Sequence, residues 1–148
     1  INTASYTLSL HDALPILDCG EYNNMHPADK RTVAHRLALQ ALYRVYRAIP
    51  AMDAEAPYCK NAYASGGAYI LQFSQPVVAK DGEAAVFELA GTDGVYYPAV
   101  AEFRDNFVRL TSPNVRIPAS MRYAWRNWCD VGVYGKNGIP VASFRMPK

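Results

Sequence analysis

Several things that mark specialised protein classes are scarce or missing. Only three of the 148 residues are cysteines, Cys19, Cys59 and Cys129. They are too few and too far apart for a disulfide framework or a CxxC metal site, and they leave the redox compartment open. The uninterrupted apolar runs are a few residues long, far short of the roughly 20 that a membrane-crossing helix needs, so no membrane partner is expected. Neither sign of charge dominates. Fifteen Lys and Arg against 13 Asp and Glu give a net charge of +2 with no block of like charges. The clustered basic face that grips nucleic acid is therefore not expected. What is present is an ordinary globular composition, 51% hydrophobic and 19% charged, which excludes disorder, collagen and coiled coil.

The first sixteen residues stand apart. Thr7-Leu8-Ser9-Leu10-His11-Asp12-Ala13-Leu14-Pro15-Ile16 is the translation of ACT CTT TCC CTA CAC GAC GCT CTT CCG ATC, a common sequencing-adapter read. Residues 1–16 are accordingly expected to be non-native, and segments of that origin carry no information about the fold. The competing reading is a native strand, for which Tyr6-Thr7-Leu8-Ser9-Leu10 has a suitable alternation. On the adapter reading the native sequence covers 17–148 and its upstream part is missing. His11 and Asp12, a tempting catalytic pair, then fall out of consideration.

From Pro27 to about Tyr46, apolar residues recur at Ala34, Leu37, Ala38, Ala41, Leu42 and Val45. That spacing predicts a helix of about 20 residues with one apolar face. Pro27 suits the first helical position, Asp29 places a carboxylate near the positive end, and Pro50 marks the finish. Arg31, Arg36, Arg44 and Arg47 read as a solvated face. Residues 47–66, with Pro50, Pro57, Ser65 and Gly66, read as a loop and a domain boundary. The period then changes. Tyr69–Phe73, Ala85–Leu89, Val95–Val100, Asn106–Leu110 and Met121–Trp125 are short aromatic- and Val-rich runs. Lys80-Asp81-Gly82, Gly91-Thr92-Asp93-Gly94 and Ser112-Pro113-Asn114 supply turn chemistry between them. Strands without intervening helices predict an antiparallel sandwich, and the expected class is α+β.

One stretch carries chemistry: Asp18-Cys19-Gly20-Glu21-Tyr22-Asn23-Asn24-Met25-His26-Pro27. A residue before proline is pushed out of the helical region, so His26 is held extended just outside the helix N-terminus. A neutral imidazole there can accept a proton, and a nearby carboxylate would orient it. Its nucleophile is not evident. Ser65, Ser74, Ser112, Ser120 and Ser143 lie in no Gly-x-Ser-x-Gly elbow and follow no Gly-Asp pair. Cys19 reads as a structural thiol and His35 as a surface or partly buried packing residue. The residues give half of an active site.

The same stretch, followed by Val33, Arg36-Leu37-Ala38 and Leu42, resembles the last catalytic block of the sialate O-acetylesterase family. There an Asp-x-Gly segment leads to a His-Pro and a helix. Met121-Arg122-Tyr123-Ala124-Trp125, then Gly138-Ile139-Pro140-Val141-Ala142-Ser143-Phe144-Arg145, is similar to the family's closing signature. Gly91-Thr92-Asp93-Gly94 with Tyr97-Pro98-Ala99 falls where the family has a Gly-x-Asp-Gly and Pro-Ala segment. The resemblance implies an SGNH-type hydrolase with a three-layer α/β domain and a Ser-His-Asp site, removing O-acetyl groups from sialic acids or related sugars.

Carried onto this chain, it makes His26 the catalytic histidine. The usual positions of the acid are Asn23 and Asn24, leaving Asp18 and Glu21 as nearby carboxylates. The serine and the oxyanion-hole blocks would lie upstream. The implied layout is 17–49 as the end of the esterase domain and 50–148 as a β-rich C-terminal domain, with the fragment inactive by itself. No metal or organic cofactor is implied, the partner is an O-acetylated sugar, and the default compartment is periplasmic or extracellular. The alternative is a non-catalytic carbohydrate-binding sandwich that stacks sugars on Tyr96, Tyr97, Tyr123, Trp125 and Trp128, although strand alternation predicts burial for most of these.

Overall fold

The computed structural model describes residues 16–80, 86–128 and 131–147. His11, Asp12 and the expected adapter segment up to residue 15 lie outside the described residues, as does Cys129. Helix α1 spans Lys30–Arg44, starting later than the apolar spacing predicts. The start is set by Asp29, whose carboxylate accepts the Thr32 N–H at 3.0 Å and satisfies a donor that the first turn leaves open. Pro27 lies outside the helix. Helix α2 (Ala51–Ala54) follows Pro50 and docks on α1 through the Gln40 side-chain amide, which donates to the Ala54 carbonyl at 2.6 Å. Arg44 pairs with Glu55 at 2.9 Å.

The predicted loop over 47–66 holds regular structure. It contains α2 and strand β1 (Cys59–Ser65), because its punctuating residues end elements instead of dissolving them. Pro50 caps α2 in an extended conformation. Gly66 and Gly67, at φ 54° and 77°, form the tight turn that joins β1 to β2 (Ala68–Phe73), with Ser65 paired to Ala68. Two central residues at positive φ match the twist of a hairpin, and only glycine adopts this freely.

The remaining strands are β3 (Val77–Ala79), β4 (Phe87–Ala90), β5 (Tyr96–Pro98), β6 (Val100–Arg104), β7 (Phe107–Thr111), β8 (Ser120–Tyr123), β9 (Val133–Gly135) and β10 (Phe144–Met146). They form two four-stranded antiparallel sheets, ordered β1-β2-β7-β6 and β10-β8-β4-β5, and a small β3-β9 ribbon. The expected α+β class with antiparallel sheets is what the chain adopts.

The inward faces meet in one core. Leu71 and Phe73 of β2 and Val108 and Leu110 of β7 pack with Phe87 and Leu89 of β4 and Met121 and Tyr123 of β8. Along β7 and β8 every second residue is buried, the two-residue period that the aromatic- and Val-rich runs carry. Tyr123 is fully buried, and its hydroxyl oxygen accepts the Val133 N–H at 3.1 Å, tying the ribbon to the second sheet. Helix α1 contributes nothing to this core. Leu37, Leu42, Val45 and Tyr46 stay exposed, whereas Arg36, expected on a solvated face, is buried.

On the outer face of the second sheet, register sets Glu88 directly across from Arg122. The guanidinium grips the buried carboxylate at 2.7 and 3.1 Å, and Arg126 adds a contact at 3.5 Å. The Arg122 hydrogen bond holds Glu88 below the ordinary glutamate range against the opposing effect of burial. A carboxylate held ionised by the fold contributes fully above its unfolded pKa of about 4.3, and that contribution is lost as pH falls through the lower folded value. Glu88→Gln should therefore cost about 1–3 kcal/mol at neutral pH. It should also flatten the acid limb of stability below about pH 4.3, measured by urea denaturation across pH.

Candidate active site

The loop before α1 is built by its own polar side chains. Glu21 accepts the Asn24 side-chain amide at 2.8 Å with one oxygen and the Ala28 N–H at 2.7 Å with the other. Asn24 in turn accepts the His26 backbone N–H at 2.9 Å. An isolated bridge between Glu21 and Asn24 closes the turn. These bonds stand in for the regular ladder that an irregular backbone lacks. They hold the backbone on both sides of an exposed His26, just ahead of the helix N-terminus. Both Glu21 bonds favour its ionised form and lower its pKa, the Ala28 N–H most.

The second support is ionic. Arg36 reaches back from α1 and binds both oxygens of Asp18 at 2.7 Å each. This is the bidentate geometry that makes arginine–carboxylate pairs strong and directional. Burial raises the Asp18 pKa, and the Arg36 hydrogen bonds and charge more than offset it, leaving the carboxylate below its ordinary range. Cys19 completes the cluster, with its sulfur 3.5 Å from both the Asp18 carboxylate and the Arg36 guanidinium. Burial, and then the Asp18 charge, push this thiol up to about 11, which suits the structural role expected for it. On the far side, burial and then the same carboxylate push the Tyr134 phenol of β9 above its ordinary value.

The structure thus brings Asp18, Glu21 and His26 into one loop, and among the described residues no hydrogen bond joins either acid to the imidazole. The oxygens of Asp18 are taken by Arg36 and those of Glu21 by Asn24 and Ala28. His35 lies exposed on α1. Among the described residues no three His, Cys, Asp or Glu side chains gather as a metal site. Sequence reasoning missed three contributors. Arg36 was hidden in a periodic arginine series, Asn24 counted only as a substitute for an acid, and Trp128 lies a hundred residues away. Trp128 meets Tyr22 edge to face at 5.7 Å, so the C-terminal part of the chain also braces the histidine loop.

The stacking residues considered for sugar binding separate in the same way. Tyr123 is buried in the core, and Tyr96 lies under the Arg122 guanidinium at 4.2 Å, whereas Trp125 and Trp128 remain 47% and 42% exposed.

With its pKa pushed up to about 11, Cys19 should label with a disulfide reagent at pH 8 at no more than about a hundredth of the rate of an ordinary thiol, since only the thiolate reacts. Asp18→Asn removes a charge that raises the thiol pKa and takes the bidentate carboxylate away from the buried Arg36. It should accelerate Cys19 labelling and destabilise the chain by about 1–3 kcal/mol, read by mass-resolved labelling and denaturation.

No family model matches the chain, and no curated protein matches it. Among solved structures, it is similar to a carbohydrate acetylesterase from Xanthomonas citri, with 32% identity and a TM-score of 0.80. The match covers 88% of this chain and 31% of that enzyme, so the chain spans about a third of the length of the protein it resembles.

Proposed function

We propose that the chain is the C-terminal part of a serine carbohydrate O-acetylesterase of the sialate O-acetylesterase type, with His26 as its general base. The observation that carries this reading is the 32% identity, over 88% of the chain, to a carbohydrate acetylesterase. The exposed imidazole on a loop braced by Glu21, Asn24 and the Asp18–Arg36 pair supports it. The substrate proposed is an O-acetylated sialic acid or a related O-acetylated sugar.

In the intact enzyme, the serine Oγ attacks the acetyl carbonyl while His26 takes the hydroxyl proton. Collapse of the tetrahedral intermediate breaks the bond to the sugar oxygen, which receives that proton from His26 and leaves as the free hydroxyl. Water then attacks the acetyl-serine, giving its proton to His26, and acetate departs as the proton returns to the serine. The nucleophile and the oxyanion donors come from the part of the enzyme outside this chain. Asp18 and Glu21 serve the base by fixing its loop, Glu21 through Asn24 and Asp18 through Arg36. The reaction so written calls on no metal or organic cofactor.

A base without its nucleophile and oxyanion hole has little to act on. The 148-residue chain should hydrolyse 4-nitrophenyl acetate no faster than free imidazole at equal concentration. In the enzyme restored by recovering its upstream reading frame, His26→Ala should lower acetate release from O-acetylated sugars by at least about 10³-fold. Saturable turnover by the short chain, lost on His26→Ala, would sink the proposal by locating a nucleophile inside these residues.

A further inference from the structure

Strand β8 ends at Tyr123, and the next residue leaves the sheet abruptly. Ala124 is buried at φ 48°, a left-handed conformation disfavoured for any residue with a Cβ, and is held by its N–H bond to the Val86 carbonyl at 2.9 Å. Strain of this kind persists where the surrounding structure enforces it, and it concentrates at ligand sites. Its effect here is to turn Trp125, Arg126, Asn127 and Trp128 out of the sheet. Both tryptophans stay close to half exposed, although the neighbouring aromatics Phe87, Tyr123 and Phe144 are spent in or against the core.

Ala124, Trp125, Arg126 and Asn127, with Ser143 from the segment before β10, line an open cavity of about 340 Å³. That lies within the roughly 300–1,000 Å³ range of small-molecule sites. The residues around it carry an indole, a guanidinium, a carboxamide and a hydroxyl. A pyranose ring has the matching chemistry, with an apolar C–H face for the indole and a rim of hydroxyls for the polar groups. Arg126 reaches Glu88 at 3.5 Å, and the Arg145 guanidinium lies over the Trp125 ring, 5.5 Å from its centre. The far end of the turn reaches the histidine loop. Trp128 contacts Tyr22 and packs so close to Gly20 that an added Cβ would sit 3.4 Å from the indole.

We infer that the Trp125–Trp128 turn is a sugar-binding subsite, taking one pyranose residue of an oligosaccharide or polysaccharide whose acetylated residue is presented at His26. Sugar binding stands on the turn itself; the presentation to His26 rests on the esterase reading. The substrate is then a glycan chain rather than a free monosaccharide.

Calorimetric titration of the 148-residue chain with four unacetylated hexasaccharides, of β-1,4-linked glucose, xylose or mannose and of α-1,4-linked galacturonate, tests this directly. At least one should bind saturably at a single site. Trp125→Ala and Asn127→Ala should each weaken that binding about tenfold or more with the melting temperature unchanged, the loss expected when a central contact is truncated. Tyr63→Ala, at a comparably exposed aromatic on β1, should leave it as it was. Absence of binding by all four sugars, or equal binding by the two turn variants, overturns the inference. Because the titration uses no ester, failure of the esterase reading leaves its outcome untouched. An empty subsite likewise leaves that reading standing.

Discussion

The position of His26 depends on one bidentate ion pair. Partly withdrawing the charge of Asp18 from water is costly, and so is burying the Arg36 guanidinium, and two hydrogen bonds of 2.7 Å between them offset much of both costs. The geometry leaves little freedom. A guanidinium fork accepts a carboxylate in one plane, so the pair fixes the distance and direction from the start of the loop to the body of α1. Everything between them, including the Glu21–Asn24 turn and the His-Pro junction, is folded within that span.

The β-rich part is tied to this loop as well as following it in the chain. Tyr134 of β9 feels the Asp18 carboxylate, and Trp128 packs against Tyr22. Aromatic pairs of this kind contribute about 0.5–1.5 kcal/mol beyond the area they bury. Tyr134 lies on β9 and Trp128 on the turn after β8, and Tyr123 joins those two elements by bridging the second sheet and the β3-β9 ribbon. Trp128 and Tyr134 are thus the points at which the β-rich part meets the loop.

Helix α1 shows the opposite balance. Its apolar residues Leu37 and Leu42, and Val45 at its C-cap, are left at the surface, and its one buried side chain is a charged one. For a chain that spans 31% of the enzyme it resembles, this fits a helix that serves two neighbours. One is the loop, held through Arg36, and the other is the apolar contact that its exposed stripe calls for.

Local sequence carried much of this. Aromatic- and Val-rich runs placed β2, β4, β7 and β8 to within about two residues, because such side chains suit a pleated, buried surface. Turn chemistry separated them, and the His-Pro junction placed the candidate base ahead of a helix that starts three residues after Pro27. The short strands β3, β9 and β10 were not legible, since three residues are too few for a period to register. The loop read into 47–66 rested on Pro and Gly, whose local meaning there is a helix cap and a hairpin turn. The burial of Arg36, the capture of Asp18 by that arginine and the approach of Trp128 to Tyr22 were decided by tertiary structure alone. Each joins residues from 18 to more than 100 positions apart, and a periodic pattern records which face a residue occupies but not which distant charge or ring will meet it.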